Sequence, residues 1–208
     1  KRQLYPRFNR YLGVNIMNTY TLNFQQICQN NPELKFELNT QGDLIIMSPT
    51  GGETGNYNAE ITTEFVIWNR QKKLGKVFDS STCFKLPLGS NRSPDVAWIT
   101  LERWEQLTPE QKQTFPPIAP DFVLELMSPT DNLKDVQDKM QEYLDSGVKL
   151  GWLINPKTRI VEIYRQGQTK EVLENPRYLY GENILVDFIL DLLVDFILDL
   201  TDIWEQIP

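Results

Sequence analysis

One short run, residues 122–127, constrains the fold more than any other part of the chain. Its sequence FVLELM predicts a strand that is apolar on both faces, with the single exception of Glu125. A buried carboxylate is costly unless a partner compensates its charge. Glu125 therefore requires a metal ion, a lysine or arginine, or several hydrogen-bond donors. From this strand alone, a metal site and a buried ion pair with Arg92 or Lys139 are equally open.

The rest of the chain alternates short strand-like runs with helical patterns. Two pairs of runs flank turns and predict hairpins, one at residues 35–47 and one at residues 150–165. Helical periodicity predicts a helix at residues 53–70, closed by Gly75. A second long helix is expected to start from a cap at Thr130 or Asp131 and to end at Ser146. The remaining predicted elements are strands at 77–86, 95–100 and 170–172, a loop at 87–93, and helices at 21–29 and 101–113.

Length and composition indicate one ordinary globular domain. The chain has 208 residues, of which 40% are hydrophobic and 24% are charged. Residues 1–16 lack the features of a signal peptide and are interpreted as an extension before a natural start at Met17. Residues 17–208 are then the domain. Cys28 and Cys83 are far apart without a partner motif, which favours reduced thiols in a cytoplasmic protein.

The chain contains no histidine, which excludes several kinds of catalysis. Catalytic triads, Cys-His pairs and histidine-zinc sites all need an imidazole. The chemistry left to this chain uses carboxylates, lysine, tyrosine, serine or a hard cation such as Mg²⁺, Mn²⁺ or Ca²⁺. The net charge of −7 argues against a surface coated with basic residues for nucleic acid. A short basic cluster at residues 70–76 is more typical of a solvated helix end.

The C-terminal part contains an internal repeat. Residues 185–192 read LVDFILDL, and residues 193–200 repeat them letter for letter, which indicates a recent tandem duplication. The aspartates recur every four residues, a spacing compatible with one helix face, and they also make a membrane span costly. One copy is expected to pack against the domain. The other copy is expected to extend a helix or to contact another chain.

Two carboxylates and a lysine form the candidate site. Asp95 opens one predicted strand and Glu125 lies in another, so the two could converge on one cation, which would polarise a phosphate and acidify water. Lys139 lies on the inward stripe of the second long helix, between Val136 and Tyr143. Its side chain can either extend outward to solvent or reach back to the carboxylates, and we predict that its amine points toward Glu125.

These motifs resemble a known family. The chain is similar, over about residues 20–204, to the restriction-endonuclease family abundant in cyanobacteria, formerly a domain of unknown function, within the PD-(D/E)XK nuclease superfamily. The residues that carry the resemblance are Pro94-Asp95, Glu125-Leu126-Met127-Ser128-Pro129, Lys139, Tyr143, Gly147-Val148, Trp152 and Asn155-Pro156.

The resemblance implies an α/β (α+β) fold with a mixed sheet flanked by helices, with additional hairpins. It also implies Asp95 and Glu125 as metal-binding carboxylates. Met127 stands where the superfamily usually has its lysine, and Lys139 is taken to replace that lysine from the following helix. Glu60, on the predicted helix at residues 53–70, matches an extra acidic residue that many members of the superfamily have, with Glu64 as the alternative.

The expected function is an endonuclease that depends on Mg²⁺ or Mn²⁺ and cleaves nucleic acid, most simply DNA. Asp95 and Glu125 would hold the metal, Lys139 would orient water, and Glu60 would assist. An inactive binding or regulatory module is the alternative, and the net charge of −7 favours it. A third reading is a structural protein in which Glu125 belongs to a buried ion pair. A homodimer is also open, because duplex cleavage often uses two-fold symmetry.

Overall fold

The computed structural model describes residues 3–4 and 24–192, which form three sheets and five helices. The helices are α1 (Phe24–Asn30), α2 (Gly52–Lys72), α3 (Leu101–Glu105), α4 (Pro109–Gln113) and α5 (Leu133–Asp145). The strands are β1 (Gln3–Leu4), β2 (Lys35–Leu38), β3 (Leu44–Met47), β4 (Gly75–Asp79), β5 (Phe84–Lys85), β6 (Asn91–Arg92), β7 (Val96–Thr100), β8 (Phe122–Leu126), β9 (Leu150–Asn155), β10 (Ile160–Arg165), β11 (Glu171–Glu174), β12 (Tyr178–Tyr180) and β13 (Ile189–Asp191).

A six-stranded sheet forms the centre of the fold, in the order β11-β10-β9-β8-β7-β4. Strands β8 and β9 run parallel, and the other neighbours are antiparallel, so the sheet is mixed. All five residues of β8 are buried, as its apolar sequence predicts. The predicted class, a mixed sheet flanked by helices with additional hairpins, is confirmed.

The two long helices cover opposite faces of this sheet. Helix α2 packs Phe65 and Trp68 against one face, where the Phe65 ring stacks on Phe122 at 5.1 Å between centroids. Helix α5 packs its apolar stripe against the other face, on which Met140 and Tyr143 are fully buried. Because side chains alternate along a strand, β7 and β8 each contribute to both cores.

A second sheet, in the order β1-β3-β2-β6-β5, contains the predicted N-terminal hairpin. Strands β2 and β3 pair antiparallel from Lys35 opposite Met47 to Leu38 opposite Leu44. Strand β6 lies within the segment predicted as a loop, and it joins β2 through Leu38 and Asn91. The second hairpin, β9 with β10, also forms as predicted.

The strand predicted at residues 77–86 is wrong, because the chain turns in its middle. Strand β4 ends at Asp79, and β5 begins at Phe84 in the other sheet. The Asp79 carboxylate accepts hydrogen bonds from the Ser81 backbone N–H and hydroxyl, and Thr82 N–H donates to the Asp79 carbonyl. These short-range bonds stabilise a turn in place of a continuous strand.

The helix ends also differ from the predictions. Lys73, with φ of 56°, caps α2, whereas Gly75 begins β4, where a side chain would collide with the Ile99 carbonyl. The cap of α5 is Asn132, which accepts from the Lys134 and Asp135 N–H groups. The surface helix predicted at 101–113 is interrupted, and its second part, α4, starts at a capping box.

The first repeat copy, residues 185–192, contains strand β13 rather than a helix. Its strand pairs with β12, while Leu185, Phe188 and Leu190 are buried. Phe188 contacts Phe65 at 4.3 Å between ring centroids, so this copy covers the α2 core. The second copy, residues 193–200, and the extension at residues 1–16 lie outside the described residues, apart from β1. None of the described helices is long and apolar enough to cross a bilayer.

We expect a variant that lacks residues 193–200 to fold, because the first copy supplies the buried side chains against α2. The two copies are identical, so the deletion leaves the same junction with Thr201. In this shortened chain, Phe188→Ala should lower the free energy of unfolding by about 3–5 kcal/mol. Urea denaturation measures both effects. Failure of the shortened chain to fold would mean that the second copy belongs to the core.

Candidate functional site

Asp95 and Glu125 lie side by side at one end of the central sheet. Strands β7 and β8 pair antiparallel with Val96 opposite Leu124, so Asp95, which immediately precedes β7, lies next to Glu125. Alternation places both carboxylates on the face covered by α5, together with Ala97 and Val123. The backbone N–H of Leu126 donates to Asp95 Oδ2 at 2.8 Å and fixes this carboxylate against β8.

The Glu125 carboxylate is buried, and helix α5 binds one of its two oxygens. Oε1 accepts a hydrogen bond from the Tyr143 hydroxyl at 2.9 Å and lies 2.7 Å from Lys139 Nζ. Within the described part of the chain, Oε2 accepts no hydrogen bond. Glu125 is therefore anchored through one oxygen, while the other remains available to a further ligand.

Lys139 is the buried cation of the site, and its side chain is only 2% exposed. Its Nζ lies 2.8 Å from Glu37 Oε1 in addition to its contact with Glu125. The prediction that Lys139 points toward Glu125 is confirmed, and the alternative of an outward side chain is wrong. The ion pair considered for Glu125 therefore forms with Lys139 and not with Arg92.

A second buried cation, Arg92, lies behind this lysine. Its Nη1 donates to Glu37 Oε2 at 3.0 Å, and its other nitrogens donate to both carboxylate oxygens of Glu142 on α5 at 2.8 and 2.7 Å. Glu37 also accepts from the Ser93 N–H at 2.9 Å and is 1% exposed. The sequence predicts no role for Glu37, because it lies in a strand whose polar residues are typical of a solvated face.

Helix α2 brings Asn58, not Glu60, to the carboxylates. Asn58 Nδ2 donates to Asp95 Oδ1 at 3.3 Å, and both residues line a pocket of about 220 Å³ that opens to solvent. Glu60 is exposed and accepts a hydrogen bond from Asn56, and Glu64 is also exposed. Two helix positions separate side chains by about 200°, so Glu60 cannot share the face of Asn58. The expected contribution of Glu60 to this cluster is not found.

The charges of the site strongly perturb its carboxylates. Burial raises the pKa of Glu125 to about 7, and the charges of Asp95 and Glu37 add to this effect, while Lys139 opposes it. Burial also raises the pKa of Asp95. Burial acts in the same direction on Glu37, but the charges of Lys139 and Arg92 outweigh it and hold the pKa of Glu37 at about 2. Glu37 has two cations as partners, whereas Glu125 has Lys139 and two nearby negative charges.

The net charge of the site is compatible with a bound divalent cation. Arg92 and Glu142 balance each other as an ion pair. When all groups are ionised, Glu37, Asp95 and Glu125 then face Lys139, which leaves an excess of two negative charges. Among residues 24–192, no three or more acidic or cysteine side chains form a ready-made metal cage. Mg²⁺ commonly binds through one or two carboxylates and retains several waters. The oxygen donors of Asp95 and Glu125 fit this mode.

Solved structures include one with the same fold. A putative nuclease belonging to DUF820 from Anabaena variabilis is 21% identical, with a TM-score of 0.66 over 76% of this chain and 88% of that chain. At this identity the likeness establishes the fold alone. No curated protein sequence matches the chain significantly.

The sequence itself matches a family model over most of its length. The match extends over residues 22–193 and therefore includes the central sheet, both long helices and the carboxylate site. The family is described as "Putative restriction endonuclease", which supports a nuclease function. The chain belongs to this family, Uma2.

Proposed function

We propose that this protein is a divalent-metal-dependent endonuclease that hydrolyses phosphodiester bonds of DNA. Asp95 and Glu125 would hold Mg²⁺ or Mn²⁺. The observation that carries the proposal is the pair of neighbouring carboxylates, the half-buried Asp95 and the buried Glu125, with the buried Lys139 against Glu125. Family membership supports the nuclease part of the proposal. The identity of the metal and the preference for DNA rest on the chemistry of the donors and on the family resemblance.

The residues around the carboxylates have distinct tasks in this proposal. A divalent cation, when bound, stabilises charge on the phosphate and acidifies water. The Leu126 N–H fixes Asp95, and the Tyr143 hydroxyl fixes Glu125, so the donor oxygens are held in place. The Lys139 ammonium, held by ion pairs, orients the attacking water and balances negative charge that develops on the phosphate.

The proposal also includes the cellular compartment and the oligomeric state. We place the reaction in the cytoplasm, since Cys28 and Cys83 are both free thiols and reduced thiols are typical of that compartment. Cleavage of both strands of a duplex would be served by a two-fold homodimer that presents one site to each strand.

A second candidate function is an inactive module that binds a partner without turnover. Two observations favour it. Lys139 already compensates part of the charge of Glu125 without a metal, and the net charge of −7 disfavours broad contact with nucleic acid. Activity and metal-binding measurements separate the two candidates.

We expect purified protein to nick plasmid DNA with Mg²⁺ or Mn²⁺, and the Asp95→Asn, Glu125→Gln double variant to lose about a hundredfold or more of this activity. Ca²⁺ should support little turnover. Glu60→Gln should retain activity, because Glu60 is exposed on another face of α2. Gel electrophoresis of the plasmid measures nicking, with EDTA as a control. Equal nicking by the wild type and the double variant would indicate a contaminant and favour the inactive module.

Metal binding should also appear as stabilisation of the fold. At pH 8, Mn²⁺ at a hundredfold excess over its dissociation constant should add about 2.7 kcal/mol to the free energy of unfolding. The double variant Asp95→Asn, Glu125→Gln should show no such gain, because it lacks both charged donors. Thermal denaturation monitored by circular dichroism measures the shift. A shift of equal size in both proteins would place the metal elsewhere.

Without metal, the ionised Glu125 should destabilise the fold. Its pKa is about 7 in the folded protein against an ordinary 4.5, so it binds its proton more tightly when folded. This contribution to stability is present below pH 4.5 and is lost as the pH rises through 7. In EDTA at pH 8, Glu125→Gln should therefore be more stable than the wild type by on the order of 1–3 kcal/mol. Urea denaturation should show the difference shrink toward pH 4.5. A difference that does not change with pH would contradict the raised pKa.

A further inference from the structure

We infer that Glu37 is a positioning residue of the proposed metal site. It shares the ion pair of Lys139 with Glu125, so that Lys139 neutralises Glu125 only in part. The inference rests on the proposed function, because it concerns how well Asp95 and Glu125 can hold a divalent cation. Glu37 lies on β2, in a different sheet from both of these residues.

The contacts of Lys139 are nearly symmetric. Its Nζ lies 2.8 Å from Glu37 Oε1 and 2.7 Å from Glu125 Oε1, and its side chain is 2% exposed. Water therefore contributes little to its stabilisation, and the two carboxylates share the task. Each carboxylate receives only part of the positive charge.

Other groups fix Glu37 independently of Lys139. Arg92 binds Oε2 at 3.0 Å, and the Ser93 N–H donates to Oε1 at 2.9 Å. Arg92 is itself held by two bonds to Glu142. Glu37 is thus a rigid acceptor that holds the ammonium at a defined distance from Glu125.

The consequence for Glu125 follows from Coulomb's law. A lysine bound to Glu125 alone would neutralise it fully and would repel a cation at the same carboxylate. With Glu37 as the second acceptor, Glu125 keeps part of its negative charge, and its Oε2 accepts no hydrogen bond from the described residues. In other proteins, residues that bind to the groups around a metal ligand change the affinity for the metal.

The test compares Mn²⁺ dissociation constants, measured by isothermal titration at pH 8. Glu37→Gln should weaken Mn²⁺ binding by about 10–100-fold, because Lys139 then loses the Glu37 carboxylate and neutralises Glu125 more completely. The matched control is Glu142→Gln, which removes a carboxylate of the same network that binds Arg92 but makes no ion pair with Lys139. Its Mn²⁺ affinity should stay within about threefold of the wild type. Equal weakening in both variants would overturn the inference, because the loss of any nearby negative charge would explain it.

A second background decides whether Glu37 acts through the lysine. In Lys139→Met, the additional change Glu37→Gln should alter Mn²⁺ affinity by less than about twofold, because the shared cation is gone. A tenfold or larger effect in this background would mean that Glu37 acts directly by its own charge, and the inference would fall.

Two further results must be distinguished: a Glu37→Gln variant that does not fold, and a wild type that does not bind Mn²⁺ at Asp95 and Glu125. If Glu37→Gln does not fold, Glu37→Asp replaces it, because this variant retains the charge and withdraws the carboxylate from Lys139 by one methylene. The Glu37→Asp protein should still bind Mn²⁺ more weakly than the wild type. Wild-type affinity in this variant would overturn the inference. If the wild type shows no Mn²⁺ binding that depends on Asp95 and Glu125, the proposed function fails, and the inference fails with it. Wild-type binding that Glu37→Gln leaves unchanged refutes the inference alone.

Discussion

The buried ammonium of Lys139 joins three parts of the fold at one point. It projects from α5, contacts Glu125 on β8 of the central sheet, and contacts Glu37 on β2 of the N-terminal sheet. Each of these charges would be expensive to bury alone, so the position of each element depends on the other two. Arg92 and Glu142 extend the same network along α5. The packing of the N-terminal sheet against α5 is therefore set by charge compensation as well as by apolar contact.

The two faces of the central sheet consequently differ in character. On the α2 side, aromatic rings such as Phe65, Trp68 and Trp152 form a continuous apolar core. On the α5 side, apolar packing gives way to the carboxylates where β7 begins and β8 ends. The excess negative charge of these groups, when all are ionised, supports the proposal that a divalent cation binds there. A nuclease family and a carboxylate site thus lead to the same chemistry by separate arguments.

Local pattern was sufficient for the parts of the site that lie within a single element. The run at residues 122–127 predicted a buried strand with Glu125 inside it, and the stripe of α5 predicted that Lys139 faces inward. Both predictions depend only on the period of a strand or a helix, which the sequence carries directly. The two hairpins were predicted for the same reason, since a turn between short runs is a local signal. The location of Asp95 was predicted because it opens the strand-like run that forms β7, which begins at Val96.

The pairings between distant elements were decided by the tertiary structure alone. The hairpin pattern at residues 35–47 assigns no role to Glu37, and only the packing of that hairpin on α5 buries it against Lys139. Glu60 looked like the acidic residue of the first helix, but the rotation of α2 presents Asn58 to Asp95 instead. The first LVDFILDL copy contains a strand because β12 lies beside it, whereas its aspartate spacing is also compatible with a helix. The sequence determines which face of an element is apolar, but the partner of a buried charge depends on how the elements dock, and no local period records it.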